Sequence, residues 1–528
     1  MVLFDRRTGR SRRREQQSQV KIFPVPRRGL IRNEAYAVPQ GEGAEVLDNF
    51  YPTTQSIRPR GGLIRHATVG GPVTHLADYT LTSLFATTAT AIYDVTNPAD
   101  PDVAPTPVVT GQTSGDYSSV QFTTPGGIFL ILVNGADDLQ LYDGTTWATI
   151  NAGSAPIAIT GVDTSLLNQA WTFKNRLFFI ERNSLSAWYL PTFQIGGAAI
   201  EFPLGSVFKE GGRLLFGATW SLDSGEGLDD VCIFVTSEGE IAVYQGTDPA
   251  SIETWSLVGV YLIGRPLGKN GVFRAGGDLA IATDDGIVPV SQAITQDRSA
   301  LQTNAITYPI EELWRRTVDI RQGFGPFTMQ LWQRESMLLV STPFDVGQPI
   351  ITLIANTKTG AWARYTGWDT TAMSILEDRL FIGGNNTHVY QANVSGSDDG
   401  VPYSCVVVPR FDSFISAEEK HAVSCRLNAI ERTPISYQVF CNADWRVEIP
   451  PPFPADPDEA SAAWGVGVWG EFVWGANGLP VRVSEWRTVQ SNGYSLAPGI
   501  QILSGRITKP DVDLISLDLM YMTGRITG

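Results

Sequence analysis

Residues 279–290 read LAIATDDGIVPV: an apolar run, a tight polar turn centred on Asp285-Gly286, and a second apolar run. Asp-Gly supplies the positive φ angles that a short hairpin turn requires, so the stretch is read as a β-hairpin. The same unit recurs on either side. It is present as Leu84 to Tyr93, Ile131 to Tyr142 across Asn134-Gly135, Leu177 to Trp188, Cys232 to Tyr244 across Glu238-Gly239, and Leu380 to Tyr390 across Gly383-Gly384-Asn385. A longer version, Leu338 to Trp362, makes a wider excursion around Gly347. Starts at 84, 131, 177, 232, 279, 338 and 380 lie 42 to 59 residues apart, the size of one four-stranded propeller blade.

The expectation is therefore an all-β chain with a β-propeller-like body of six or seven irregular blades. Hairpins distributed among two or more sandwiches are the competing arrangement. From Tyr403 onward the pattern changes to strand-like segments such as Val406 to Arg410, Tyr437 to Phe440, Ile500 to Gly505 and Leu514 to Met522, read as a C-terminal β-sandwich-like domain. The expected division is a basic N-terminal arm over 1–40, the propeller-like body over 41–400, and the C-terminal β domain over 401–528. One helix is expected, starting at Tyr308-Pro309 with Ile310, Leu313 and Trp314 on one face.

Composition agrees with turn-dense β structure. The 528 residues include 52 glycines and 14 tryptophans, and only 18% are charged. No apolar run reaches the roughly 20 residues of a membrane span, and Met1 to Phe4 leads directly into Asp5, Arg6 and Arg7, so neither a span nor a signal peptide is expected. Cys232, Cys405, Cys425 and Cys441 form no CxxC pair and are read as buried thiols.

Charge is unevenly placed. Residues 1 to 32 carry ten basic side chains against Asp5 and Glu15, near +8, which leaves the remainder near −23. Such a body repels nucleic acid, because duplex binding depends on cations that displace phosphate counterions. Arg6, Arg7, Arg10, Arg12, Arg13 and Arg14 form either a docking arm or a solvated tail.

The catalytic signatures fail one by one. Gly465-Val466-Gly467-Val468-Trp469-Gly470 matches a dinucleotide fingerprint in form, but its glycines follow a different period: Trp464, Trp469 and Trp474, each followed by glycine. These indoles are read as packing within the fold or against a neighbouring subunit. Gly264 to Asn270 lacks both the spacing and the hydroxyl after Lys269 that a phosphate-binding loop needs. Paired carboxylates at Asp137-Asp138, Asp229-Asp230, Asp284-Asp285 and Asp398-Asp399 sit in turn contexts. His66, His75, His388 and His421 have no metal-ligand spacing, and no nucleophile elbow occurs. The segment Tyr142 to Trp147 approaches the Asp-box of sialidase propellers without its first aspartate and without recurrence. No catalytic residue, cofactor or metal site is expected.

Three stretches resemble the tail nozzle, or tail-hub (tail tubular), structural proteins of short-tailed bacteriophages. They are Leu47-Asp48-Asn49-Phe50-Tyr51-Pro52 leading to Ile57-Arg58-Pro59-Arg60-Gly61-Gly62; Asn356-Thr357-Lys358-Thr359-Gly360-Ala361-Trp362 followed by Asp378 to Gly384; and the Trp464 to Gly475 repeat with Gly524-Arg525. The resemblance implies a virion tail component made in the host cytoplasm, a homo-hexamer set below the portal and adaptor rings. Tail fibre or appendage proteins attach outside it, and genome DNA passes through its lumen without specific binding or a membrane in the assembled particle. An acidic lumen would let DNA slide. Arg6 to Arg14 and the three tryptophans are then the docking candidates. A phage tail propeller that binds or cleaves host surface glycans, and a cellular interaction scaffold, are the alternatives.

Overall fold

The computed structural model describes residues 18–32, 42–223, 228–251, 253–345, 347–453 and 480–524. The seven expected hairpins fall in seven blades, as the middle strands of the six four-stranded ones and the last two strands of the fifth. Blade one is a four-stranded meander of His75–Tyr79, Ser83–Thr87, Ala91–Asp94 and Val109–Thr110. Blade two runs Ser118–Thr124, Gly127–Val133, Leu139–Tyr142 and Trp147–Ile150. Blade three runs Leu167–Phe173, Arg176–Glu181, Ser186–Tyr189 and Ile200–Pro203. Blade four has the longest strands, Leu214–Asp223, Leu228–Thr236, Glu240–Gly246 and Trp255–Leu262.

Blade five has three strands, Val272–Ala275, Asp278–Thr283 and Gly286–Pro289, and is followed by two short helices and the expected longer one, Glu311–Arg321. Blade six comprises Thr328–Trp332, Met337–Ser341, Ile351–Asn356 and Trp362–Thr366. Blade seven joins Ala372–Leu376, Arg379–Gly383 and His388–Gly396 to Gly62–Thr68 from the start of the chain. Borrowing that fourth strand closes the ring with backbone hydrogen bonds between chain segments more than 300 residues apart.

Strand alternation explains why the blades pack on both sides. Along Ser83–Thr87, Leu84 and Ala86 enter a core shared with blade seven, while Phe85 points the other way into a core shared with blade two. In blade two, Leu130 and Leu132 face blade one, and Ile131 and Val133 face blade three. Further cores join three to four, four to five, five to six and six to seven. Every blade therefore buries both faces, which accounts for continuous apolar runs such as Leu130 to Val133.

The C-terminal unit is a β-sandwich. One sheet holds Phe50–Pro52, Ile57–Pro59, Val512–Thr523, Lys420–Glu431 and Val481–Gly493, with Gln19–Pro24 also paired to Val512–Thr523. The other extends blade six: beyond Trp362–Thr366 lie Ala44–Asp48, Tyr403–Pro409, Leu496–Ser504 and Ser436–Ala443, eight strands in all. Cys425, Leu427, Leu517 and Leu519 meet Cys405, Val407, Ile500 and Ile502 between the layers.

The pairing differs from a division in sequence order at 40 and 400. Strands from 19–24 and 44–59 lie in the sandwich sheets, and Arg506–Thr508 pairs with His388–Gly396 in blade seven. Ring closure is the reason. Gly62–Thr68 must reach the last blade, so the residues before it emerge where blade seven hands over to the sandwich, and they pair there.

Candidate functional site

Two of the stretches that carry the phage-tail resemblance meet at one place, the joint between propeller and sandwich. Asn49 and Arg60 lie at its centre. The buried Arg60 guanidinium has five N–H donors, and all five are used. Nε donates to Asn49 Oδ1 (2.9 Å), Nη1 to Gly61 O (3.0 Å) and Asp398 Oδ1 (2.8 Å), and Nη2 to Thr366 O (2.9 Å) and Asp398 Oδ2 (2.6 Å). Its plane rests on Tyr403, whose ring centroid is 3.8 Å away, with Trp368 at 5.4 Å. Asn49 Nδ2 donates to Thr366 Oγ1 and to Ser404 O. Next to it, Arg364 clamps Asp48 through two bonds of 2.7 and 2.6 Å.

Asn356 and Trp362 complete the joint. Asn356 Nδ2 donates to Pro52 O (2.8 Å), and Trp362 Nε1 to Ile306 O (3.0 Å). Gly29 lies so close that a Cβ there would sit 2.3 Å from Trp362 O. These motif residues thus hold strands from both chain ends against blade six. The chemistry is cohesion, since every polar group named is consumed by a protein partner.

The second polar centre closes one end of the propeller axis. Lys269, from the rejected phosphate-loop motif, is buried. Its Nζ donates to Asp116 O (2.7 Å), Asn168 O (2.9 Å) and Asn168 Oδ1 (2.9 Å), and it stands 3.1 Å from Asp116 Oδ1. Those partners open blades two and three, while Lys269 leads into blade five. His75, opening blade one, bonds Ser119 Oγ through Nε2 at 2.8 Å. Burial, with the Lys269 charge beside it, pushes its imidazole down to about 4, so it is neutral at pH 7. An ammonium so committed has no proton left for a phosphate.

Three of the four carboxylate pairs are spent on turns and ion pairs; Asp229-Asp230, expected in a turn, lies instead within strand Leu228–Thr236, where Asp230 Oδ1 accepts from Ser221 Oγ (2.6 Å). Asp137 accepts from Thr113 and Asn134, and Asp138 from Thr164 and Asn151. Asp285 pairs with Arg298 (2.7 Å) and Asp399 with Arg65. Asp143 accepts from the amides of Thr146 (2.7 Å) and Thr145 (2.8 Å) and from the Thr145 hydroxyl, which together hold its carboxyl down to about 2. That is a local turn clamp.

Burial pushes the thiols of Cys232 and Cys425 well up and those of Cys405 and Cys441 to about 12, so none is a thiolate at neutral pH. Among the described residues no group of three His, Cys, Asp or Glu side chains is arranged to hold a metal ion, and no helix is long and apolar enough to cross a membrane. Two clefts among the described residues have volumes of about 310 and 210 Å³. The first is lined by Arg65, already tied to Asp102 and Asp399, and the second by Asp285 and Glu311, already paired with Arg298 and Arg315.

Arg6, Arg7, Arg10, Arg12, Arg13, Arg14, Trp464, Trp469 and Trp474 lie outside the described residues. Sequence reading passed over Arg60, Asn49 and Lys269 as individual sites. Arg60 stood inside a quoted motif ending in Gly61-Gly62, and Gly62 is the point where a Cβ would lie 2.1 Å from Ser397 O.

The strand pairings define the molecule as a seven-bladed β-propeller fused to a β-sandwich through a shared sheet. No family description matches the sequence, and no curated protein does. Among solved structures, the Cps50 (Swd1) β-propeller domain of Myceliophteria thermophila is 12% identical, with 63% of this chain and 100% of that chain aligned and a TM-score of 0.39. YCF48 bound to D1 peptide is 11% identical over 63% of this chain and 95% of that one, with a TM-score of 0.36. Chaetomium thermophilum Raptor is 8% identical over 63% of this chain, which spans 29% of its length, with a TM-score of 0.38.

Proposed function

We propose that this chain is a structural ring protein of a bacteriophage tail, a nozzle or hub set below the portal and adaptor rings, through which genome DNA is ejected. Six copies surround the lumen, and the chain performs no chemical step of its own. The observation that carries the reading is the joint. Leu47 to Pro52, Ile57 to Gly62 and Asn356 to Trp362, the short patterns that resemble phage nozzle proteins, sit together as one interlocked seam and not as unrelated surface matches. A propeller locked to a sandwich in this way is a stiff block, suited to stacking in a tail that must bear the passage of DNA. Its charge, −15 overall, suits a wall that DNA slides past.

Electron microscopy of the purified protein and of particles, with mass from light scattering, tests the proposal. Six-fold rings with a central hole are expected. A monomer that binds or degrades a bacterial polysaccharide, and is absent from tails, overturns it in favour of the glycan-active reading.

A further inference from the structure

Among the described residues, an apolar edge on the propeller and an apolar turn on the sandwich are both exposed. The first is the outer edge of blade four. Trp255–Leu262 reads WSLVGVYL, eight residues without a charge or a proline, and Leu257, Val258, Val260 and Leu262 are each 36% to 50% exposed. Free sheet edges template association, and proteins blunt them by shortness, charge, proline or cover. The molecule does so elsewhere: the outer strand of blade one is two residues long, that of blade three carries Glu201 and Pro203, and that of blade six is covered by the sandwich. Among the described residues, blade four uses none of these.

The second is a turn on the sandwich. Phe414 and Ile415 adopt φ of +55° and +54°, a conformation that bulky and β-branched residues avoid, and Ile415 is 97% exposed. The turn is held from beneath. Fully buried Lys420 donates to Ser416 O (2.9 Å), Glu418 O (2.8 Å) and Tyr494 O (2.8 Å), Phe414 N donates to Asp412 Oδ1 (2.6 Å), and the Phe414 ring packs on Tyr521 at 4.6 Å and Phe23 at 5.9 Å. A strained backbone fixed by this many contacts presents the isoleucine as a rigid knob.

We propose that the knob of one copy seats on the blade-four edge of the next, as the contact between copies of this chain. This rests on the ring reading above and names the surface that makes the ring. The occupant is a second copy because the same chain supplies both halves: an apolar projection, and an apolar strip that shares no core with the sandwich. Charges beside them are complementary, with Glu418 exposed next to the knob and Arg265 at the end of the strip, 69% exposed although it bridges Glu238. Two different surfaces in contact give head-to-tail association, which closes into a ring when the rotation permits.

The full chain is compared with Ile415→Asp and with Val258→Lys/Val260→Lys by light scattering and sedimentation over a wide concentration range. Copies carrying Ile415→Cys are then mixed under mild oxidation with copies carrying Val258→Cys. The expected result is loss of the oligomer in both charged variants, with native circular dichroism, and a disulfide-linked dimer only in the mixture. An oligomer indifferent to both variants, or one that yields no mixed disulfide, overturns the contact while leaving a ring on particles standing. A wild-type monomer at every concentration also overturns it. Particles without six-fold rings overturn the ring reading instead.

Discussion

Blades four and six are both four-stranded meanders, yet their outer edges have opposite fates. Trp362–Thr366 of blade six is extended by Ala44–Asp48 and continues into the sandwich, whereas among the described residues no strand pairs beyond Trp255–Leu262 of blade four. An edge strand carries unpaired backbone groups in either case, so what differs is the partner available. For blade six the partner is the chain's own beginning, brought there by ring closure and held by Arg364 on Asp48 and by Arg60 on Asn49 and Asp398. The difference teaches that a propeller's rim is a row of equivalent docking edges, and that accessory strands decide which stay open.

Breaking the blade-six side should have the largest effect. Arg60→Ala removes five hydrogen bonds from a buried site and leaves the partly buried Asp398 carboxylate without its guanidinium partner, and should lower the unfolding free energy by about 3–5 kcal/mol, measured by chemical denaturation. An effect below about 1 kcal/mol would show that the seam is held by strand pairing alone. At the axis, Lys269→Met keeps the stem but uncaps three acceptors, and a loss of about 1–3 kcal/mol is expected in the same assay.

Acid should separate the two regions. His75 binds its proton more weakly when folded, so stability is full above pH 6.5 and declines as the pH falls toward 4. Burial acts to raise Asp513 in the sandwich, but bonds from Arg58, Ser56 and Arg432 overcome it and hold the carboxyl at about 2, so its contribution persists above 3.8 and is lost as the pH falls through 2. His75→Gln should flatten the upper window of a melting-temperature profile and Asp513→Asn the lower. One variant abolishing both windows would contradict separate origins. The smallest effect belongs to the open edge: Val258→Lys, measured at concentrations where the chain is monomeric, should change stability by less than about 0.5 kcal/mol, because Val258 is half exposed.

Much of the propeller was legible beforehand because its hairpins are local. Each pairs nearby residues and alternates its side chains, and five of the seven turn through a glycine, so all seven blade centres could be found. The turns were less regular than expected: Asn134 to Asp138 forms a longer loop in which Asn134 Oδ1 accepts from the amides of Ala136 and Asp137. The inner and outer strands were harder to see. Some are as short as Val109–Thr110, and in the sandwich long strands such as Lys420–Glu431 and Val481–Gly493 mix charged and polar residues among the apolar ones and so show no clean alternation.

Local pattern and composition by themselves determined the all-β class, the repeat, the single long helix and the lack of a recognisable catalytic motif, since these depend on turn chemistry and side-chain period. Only tertiary structure decided that there are seven blades, that Gly62–Thr68 closes the seventh, and that Lys269 caps the axis. It also made Arg60 the joint between the two units and, among the described residues, left blade four's edge unpaired while covering blade six's. Each of these joins residues separated by a hundred positions or more, such as Arg60 and Asp398 at 338, and at that separation the chain carries no local signature of which groups will meet.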